Sequence, residues 1–384
     1  MKKSTFISAI LAIICIPIYG QQSMVGNYVY SKAVGENWFS FDYDCAMLLK
    51  SDFKENYPES DVTAPSEVEI DGNVLPVAQV MTSAFKWMAP GQRLVLPECV
   101  EVVSNLDVSC DATISFFEQS IKCLGGYAFG GATLKEEIQL PNVGAVQWNA
   151  FQQCNVNKIT FGPELFLLGY AAFQDSPVSE ILFDDGATET LDISCGAFYL
   201  VNNIRELVLP KRPKLRLGGA FVSNCASLQR IVFPDMPEYI YTNSSYDDFT
   251  MIAPPVGEMI EKCPSLAEVV CLSNTPPQWA NVEEWEDKFD HKGLYITDNM
   301  DDCVLKVPAG SEELYRADPV WGKFKTIYGF ENGDYTSIVM PEVAAPEAES
   351  TPVYHNLQGM RVEHPVRGQL YIRTIGSCTD KVVY

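Results

Sequence analysis

The stretch Ala220-Phe221-Val222-Ser223-Asn224-Cys225-Ala226-Ser227-Leu228-Gln229-Arg230-Ile231-Val232-Phe233-Pro234 decides the fold. It opens on a small–aromatic pair, crosses a polar turn that holds a cysteine, and ends in a short apolar run stopped by proline, as a strand between turns should. The same pair recurs upstream at Ala84-Phe85, Ala128-Phe129, Ala150-Phe151, Ala172-Phe173 and Ala197-Phe198, with successive gaps of 44, 22, 22, 25 and finally 23 residues. The first gap is two periods, with a degenerate copy at Leu106-Asp107. A divergent copy stands at Glu258-Met259, beyond an insertion rich in Pro, Tyr and Asp between Pro234 and Pro255. Strand-like runs follow at matching offsets: Arg93 to Pro97, Glu137 to Pro141, Lys158 to Phe161, Glu180 to Phe183, Glu206 to Pro210, Arg230 to Pro234 and Glu268 to Cys271.

A unit of about 22 residues cannot bury its own apolar face and must stack on its neighbours. One strand per coil at a fixed offset gives a parallel sheet. Alternate residues of a strand share a face, so Ile138 with Leu140, Ile159 with Phe161, and Ile181 with Phe183 point into the core. The Ala-Phe pairs supply a second inward stripe. The expected fold is a β-rich solenoid with one strand per coil and short helical turns, covered by an N-terminal cap and followed by a C-terminal hairpin. Glu137, Lys158 and Glu180 occupy one position on successive strands, and so do Glu206, Arg230 and Glu268. Alternating charge at the spacing between strands favours this register.

The pattern Ala-Phe, a gap, Cys, then Leu-x-x-Ile-x-Phe-Pro resembles the BspA-like leucine-rich repeats of secreted bacterial proteins. Thr275-Pro276-Pro277, Val304 to Pro308, Tyr315, Trp321 and Phe324 resemble that family's last coil, and Val62 to Phe85 resembles its first. The resemblance covers roughly residues 62–328. It implies a right-handed solenoid, usually on a cell surface, with adhesion to host or neighbouring proteins in some members. Val353 to Val362 and Gly368 to Ile372 read as two alternating strands. With Gly359, Arg361, Val362, Gly368, Tyr371 and Lys381 they resemble the end of the C-terminal sorting domains of exported Bacteroidetes proteins. That implies type IX export or attachment to a Gram-negative outer surface. A hairpin folded back on the solenoid is the alternative.

The ends read differently from the repeat. Lys2 and Lys3 precede a short apolar core from Ile7 to Ile18, the pattern of a signal peptide over residues 1–20 cleaved after Gly20. Residues 21–61 carry no repeat and are read as the N-terminal cap, with a small ligand-binding domain as the alternative. Residues 329–352 shift to linker composition, and 353–384 form the β tail. A net charge of -23 makes nucleic acid a poor partner, since such binding depends on Lys and Arg neutralising phosphates. It disfavours an anionic membrane too, which leaves membrane association to surface tethering alone.

Catalytic signals are sparse. His291, His355 and His364 lie in separate segments without metal-ligand spacing, and no phosphate-binding glycine loop is present. No enzyme activity, cofactor or resident metal is expected; a calcium site at Asp298, Asp301 and Asp302 stays open, because calcium takes oxygen ligands at such density. Cys110, Cys154, Cys225 and Cys263 recur past the Ala-Phe position and read as buried thiols. Cys263–Cys271 and Cys99–Cys110 are candidate disulfides.

The outward middle positions of the strands are Gln139, Thr160, Leu182, Val208, Val232 and Val270, the last four apolar. Leu182, Val208, Val232 and Val270 are therefore one candidate binding face. Tyr239, Tyr241, Tyr246 and Phe249 on the long insertion are the other. The expected function is recognition of an extracellular protein or glycan by an exported, non-catalytic surface protein. A glycan hydrolase with paired carboxylates and a structural surface-layer component are the alternatives.

Overall fold

The computed structural model describes residues 22–25, 27–33, 39–51, 60–85, 88, 91–105, 112–186, 188–242, 257–280 and 293–331. Beyond these it describes the strands Val353–His355, Arg361–Val362, Leu370–Ile375 and Cys378–Val383. The segment read as a signal peptide, Leu106-Asp107, Cys110, Tyr246, Phe249, His291, His364 and residues 332–352 of the linker lie outside the described residues. The chain divides into two compact units, Met1–Phe330 and Glu331–Tyr384.

The first unit is a leucine-rich-repeat solenoid of stacked parallel strands. Each expected strand is present, from Arg93–Val95 through Glu137–Leu140, Lys158–Phe161, Glu180–Phe183, Glu206–Val208 and Arg230–Phe233 to Glu268–Cys271. The register is the one the charges favour: Glu137 lies opposite Lys158, Lys158 opposite Glu180, Glu206 opposite Arg230, and Arg230 opposite Glu268. Inward Ile138, Ile159 and Ile181 follow one another in the core.

The expectation of one strand per coil is corrected. Before each Ala-Phe turn a second strand joins a 13-stranded sheet, through Cys123–Leu124, Ala145–Val146, Leu167–Leu168, Thr190–Ile193, Lys214–Gly218 and Glu238–Thr242. In the later coils the turn itself becomes a third strand, at Phe198–Tyr199, Val222–Ser223, Glu258–Glu261 and Tyr295–Thr297. The strands of only two residues, from Cys123–Leu124 to Leu167–Leu168 and at Phe198–Tyr199 and Val222–Ser223, leave no readable alternation in the sequence.

The Ala-Phe stripe holds for four coils and then slips. The rings of Phe129, Phe151, Phe173 and Phe198 form a column with centroids 5.7, 5.2 and 5.5 Å apart. Opposite Phe198, however, stands Val222 and not Phe221, and Ile260 follows Val222. Backbone conformation marks the same slip. The residues two before and two after each stripe position are left-handed: Tyr127 and Gly131 around Phe129, Asn149 and Gln153 around Phe151, Ala220 and Asn224 around Val222. Phe221 is still fully buried, one row over.

At the N-terminal end, Ser23–Val25, Tyr28–Lys32 and Ala46–Ser51 continue the long sheet, antiparallel to one another, before Ala46–Ser51 pairs parallel with Asn73–Met81. Phe39 and Phe41 then cross the outer face of that sheet and pack on Val102, Cys123, Ala145 and Leu167. At the other end, Val304–Pro308 and Thr326–Phe330 close the second line of strands. Tyr315, on the short helix Glu312–Ala317, and Trp321 are fully buried there, with the indole Nε1 donating to Pro277 O at 3.1 Å.

The second unit is a four-stranded antiparallel sheet in the order Arg361–Val362, Val353–His355, Leu370–Ile375, Cys378–Val383. The two-stranded hairpin is thereby corrected. The run read as one strand from Val353 to Val362 turns back on itself, with Tyr354 opposite Val362.

Candidate functional site

Two surfaces follow from this architecture, and one expected surface does not. The first is the outward row of the second line of strands. Gln139, Thr160 and Leu182 are neighbours on one ladder, and Val208, Val232, Val270, Lys306 and Tyr328 on the next. Leu182 is half-buried and Val208 is 39% exposed, but Val232 and Val270 are buried at 5% and 0%. The exposed apolar row is thus broken after Val208 and resumes only at Tyr328, so the reading of Val232 and Val270 as part of one exposed face with Leu182 and Val208 is corrected. Charged side chains on the same face explain part of this. Arg230 pairs with Glu206 at 3.2 Å and Glu268 at 2.7 Å, while Lys306, opposite Val270, reaches back to Glu268 at 2.6 Å. Long aliphatic stems laid along a strand cover apolar neighbours while their heads stay polar. Burial alone would raise the Glu268 carboxyl; the hydrogen bonds from Lys306 and Arg230 outweigh it and hold the group below the usual carboxylate range. Beside this network, Arg205, Gln229 and Ser265 help line an open cavity of about 640 Å³.

The second surface was expected on the insertion. Tyr239 and Tyr241 do not belong to it: both are fully buried in Glu238–Thr242, a strand of the long sheet. Tyr239 packs on Phe233 and Trp279 and donates its hydroxyl to Pro234 O at 2.6 Å. Period-two alternation turns both rings inward, a core role that an aromatic-rich insertion disguised.

The cysteines are structural. The nine described ones are free thiols, Cys99, Cys263 and Cys271 among them, so neither disulfide candidate stands as a bond. Cys99 points at Ser66 O and Val77 O, and Cys225 donates to Phe198 O at 3.1 Å. Cys225 and Cys263 do neighbour each other in adjacent coils, whereas Cys154 is separated from them by the coils carrying Ser176 and Val201. Burial pushes Cys45, Cys195 and Cys303 up to about 12 and Cys271 to about 11, far from a nucleophile's range. Asp298 accepts the Lys262 backbone N–H at 2.9 Å, and no group of three or more His, Cys, Asp or Glu among the described residues could hold a metal. Among the described residues no helix is long and apolar enough to cross a membrane.

The third surface was not expected. Trp148 and Tyr170 stand two residues before their Ala-Phe pairs and Tyr127 one before its own, all half-buried on the outside of successive turns. The rings of Tyr127 and Trp148 meet edge to face at 4.7 Å. Gly126 makes room for the indole, since a Cβ there would lie 2.5 Å from Trp148 Cε2. Tyr170 leans the other way, toward Gly196 and Tyr199. Between them the buried Asn149 donates from Nδ2 to the side-chain oxygens of both Gln152 and Gln174, at 3.0 Å each. The signal was present as aromatics at a near-constant offset from the repeat, but periodicity directs attention to inward positions.

The sequence profile of the BspA type leucine-rich repeat region matches residues 122–251 in six copies. That stretch spans the Phe column and the turns carrying Tyr127, Trp148, Tyr170 and Tyr199. Among solved structures, the chain is similar to a leucine-rich cell surface protein of Faecalibacterium prausnitzii, at 13% identity over 83% of this chain and 96% of that one, TM-score 0.43. It is also similar to a leucine-rich repeat protein of Bacteroides ovatus, at 13% identity over 74% and 82%, TM-score 0.37. A third is the pneumococcal vaccine antigen PcpA, at 12% identity over 81% and 99%, TM-score 0.32. No curated protein matches the chain.

Proposed function

We propose that this protein is an exported, surface-located and non-catalytic binding protein that recognises an extracellular protein or glycan through the side of its solenoid. The observation that supports this reading is where the polar chemistry goes. Thiols such as Cys225 point inward at carbonyl groups, and on the second strand line Glu180, Glu206 and Glu268 are taken up in ion pairs. What faces out is a set of side-chain rows repeating at the coil spacing, on a scaffold whose main apolar cluster runs from Tyr30 to Ile327. Such a surface suits contact with an extended partner. The match to a bacterial leucine-rich repeat type found on residues 122–251 fits export to the surface.

The test is capture of defined ligands. Residues 21–384 are presented to immobilised matrix proteins, mucins and glycans, and the same samples are assayed for released product. Saturable capture without turnover is expected. Turnover of a glycan, or no capture across the panel, overturns the reading.

A further inference from the structure

Resting on that reading, we infer that the strip formed by Tyr127, Trp148, Tyr170 and Tyr199 with Gln152 and Gln174 is a binding site for a neutral oligosaccharide. The geometry combines the two chemistries a sugar needs. A pyranose ring presents C–H groups on its faces, which pack on aromatic surface, and hydroxyls at its rim, which both donate and accept. The strip supplies half-buried rings on four successive turns. Tyr127, Trp148 and Tyr170 precede the buried Phe of their turns and Tyr199 follows its own; the Tyr127 and Trp148 rings lie 4.7 Å apart, and the coils beneath repeat along the Phe column at 5.2 to 5.7 Å, close to the length of one sugar residue in an extended chain.

The carboxamides are oriented beforehand. Asn149 holds the oxygens of Gln152 and Gln174 at 3.0 Å, which leaves each Nε2 to donate outward. Asn149 itself is left-handed, at a φ of 55°, and fixed by backbone bonds to the neighbouring coils, its N–H to Tyr170 O at 3.0 Å among them. The pair of glutamines therefore loses little freedom on binding. Burial raises the Tyr170 phenol, which keeps it a neutral donor. Charge selects the ligand class. In residues 126–131, 147–153, 169–175 and 195–200 the sole ionisable Lys, Arg, Asp or Glu is Asp175, which accepts from Gln153 Nε2 at 3.1 Å. With no cation in the strip and a chain charge of -23, acidic saccharides are repelled.

The test titrates the full chain with neutral hexasaccharides of glucose, mannose and N-acetylglucosamine, and with a hyaluronan hexasaccharide as the anionic comparison. Calorimetry and tryptophan fluorescence are the readouts. At least one neutral probe is expected to bind and the anionic probe not to. Tyr170→Ala should weaken that binding roughly tenfold, the worth of one stacked ring. Tyr170→Phe should retain it within a few fold. Gln174→Glu should weaken it while leaving the circular dichroism of the fold unchanged. Leu314→Ser, exposed on the short helix Glu312–Ala317 and outside every candidate face, should leave it unaffected. Capture of a glycan or protein that Tyr170→Ala and Gln174→Glu leave intact, in variants that keep the fold, overturns the strip but leaves the binding reading standing. Preference for the anionic probe overturns it as well. Failure of every probe and of the whole capture panel overturns both.

Discussion

The coils from Thr113 to Tyr199 and those from Lys214 to Thr297 are built from the same repeat but keep register by different means. In the earlier coils successive units are 21 to 25 residues apart, 22 from Lys158 to Glu180, and aromatic rings stack face to face, Phe151 on Phe173 at 5° and Phe173 on Phe198 at 3°. In the later coils the interval grows to 38 residues between Arg230 and Glu268, the column passes to Val222 and Ile260, and a chain of ion pairs runs along the strands. Left-handed residues bracket the turns from Phe129 as far as Val222, which lies between Ala220 and Asn224; around Ile260 only Lys262 remains left-handed. The comparison teaches that as far as Val222 backbone brackets place the turn, and the residue between them need only be apolar and fit. Phe fills the site where coils are short; Val and Ile fill it where neighbouring Phe221 and Met259 supply the missing volume from the next row.

This contrast can be broken in several ways. The largest effect is expected from Phe173→Ala, which removes a ring held between two others; it should cost about 3–5 kcal/mol, whereas Val222→Ala at the equivalent place should cost about 1–2.5 kcal/mol. Chemical denaturation of the two variants measures the difference, and equal losses would show that Phe is not the keystone of the earlier coils. Gly162→Ala comes next. Its Cβ would lie 2.1 Å from Pro141 O and 2.5 Å from Pro141 Cα, backbone atoms that cannot step aside, and a loss of about 1–3 kcal/mol is expected as a lowered Tm.

A smaller effect tests the ion-pair chain. Because the Glu268 carboxyl is held below its ordinary value, its contribution is present above the unfolded pKa and is lost as pH falls through the lower, folded one. The four partners' side chains are 25–31% exposed, so Glu268→Gln should cost only about 1 kcal/mol at neutral pH. That difference from the parent chain should vanish as the pH is taken well below about 4. Persistence of the gap at acid pH would mean that packing and not charge is lost. The smallest effect sharpens the role of the brackets. Leu200 sits at a φ of 58°, which costs a branched side chain about 1 kcal/mol, so Leu200→Gly should come out within about 1 kcal/mol of the parent despite lost packing. Leu200→Val, which cannot adopt that backbone cheaply, should be measurably worse by the same denaturation assay.

Much of the fold was legible because a stacked coil repeats its demands. Ile138, Ile159 and Ile181 had to face inward, and Glu137, Lys158 and Glu180 had to sit side by side, once the period was known. The candidate site was less legible. Val208 was correctly read as exposed, but Val232 and Val270, at the same strand position, are covered, since a position's phase in a strand tells which way it points and not what lies over it. Tyr239 and Tyr241 alternate inward on Glu238–Thr242, but their nearness to an aromatic-rich insertion hides that strand in the sequence.

By itself the sequence determined the repeat, its phase and the direction of its side chains, because each coil must bury the same stripe against the next and so writes that requirement once per period. The tertiary structure alone decided the slip at Val222, the second and third strand of each coil, and the Tyr127 to Tyr199 strip. These depend on left-handed backbone corners and on contacts between residues one coil apart, and such contacts exist only after the coils have stacked.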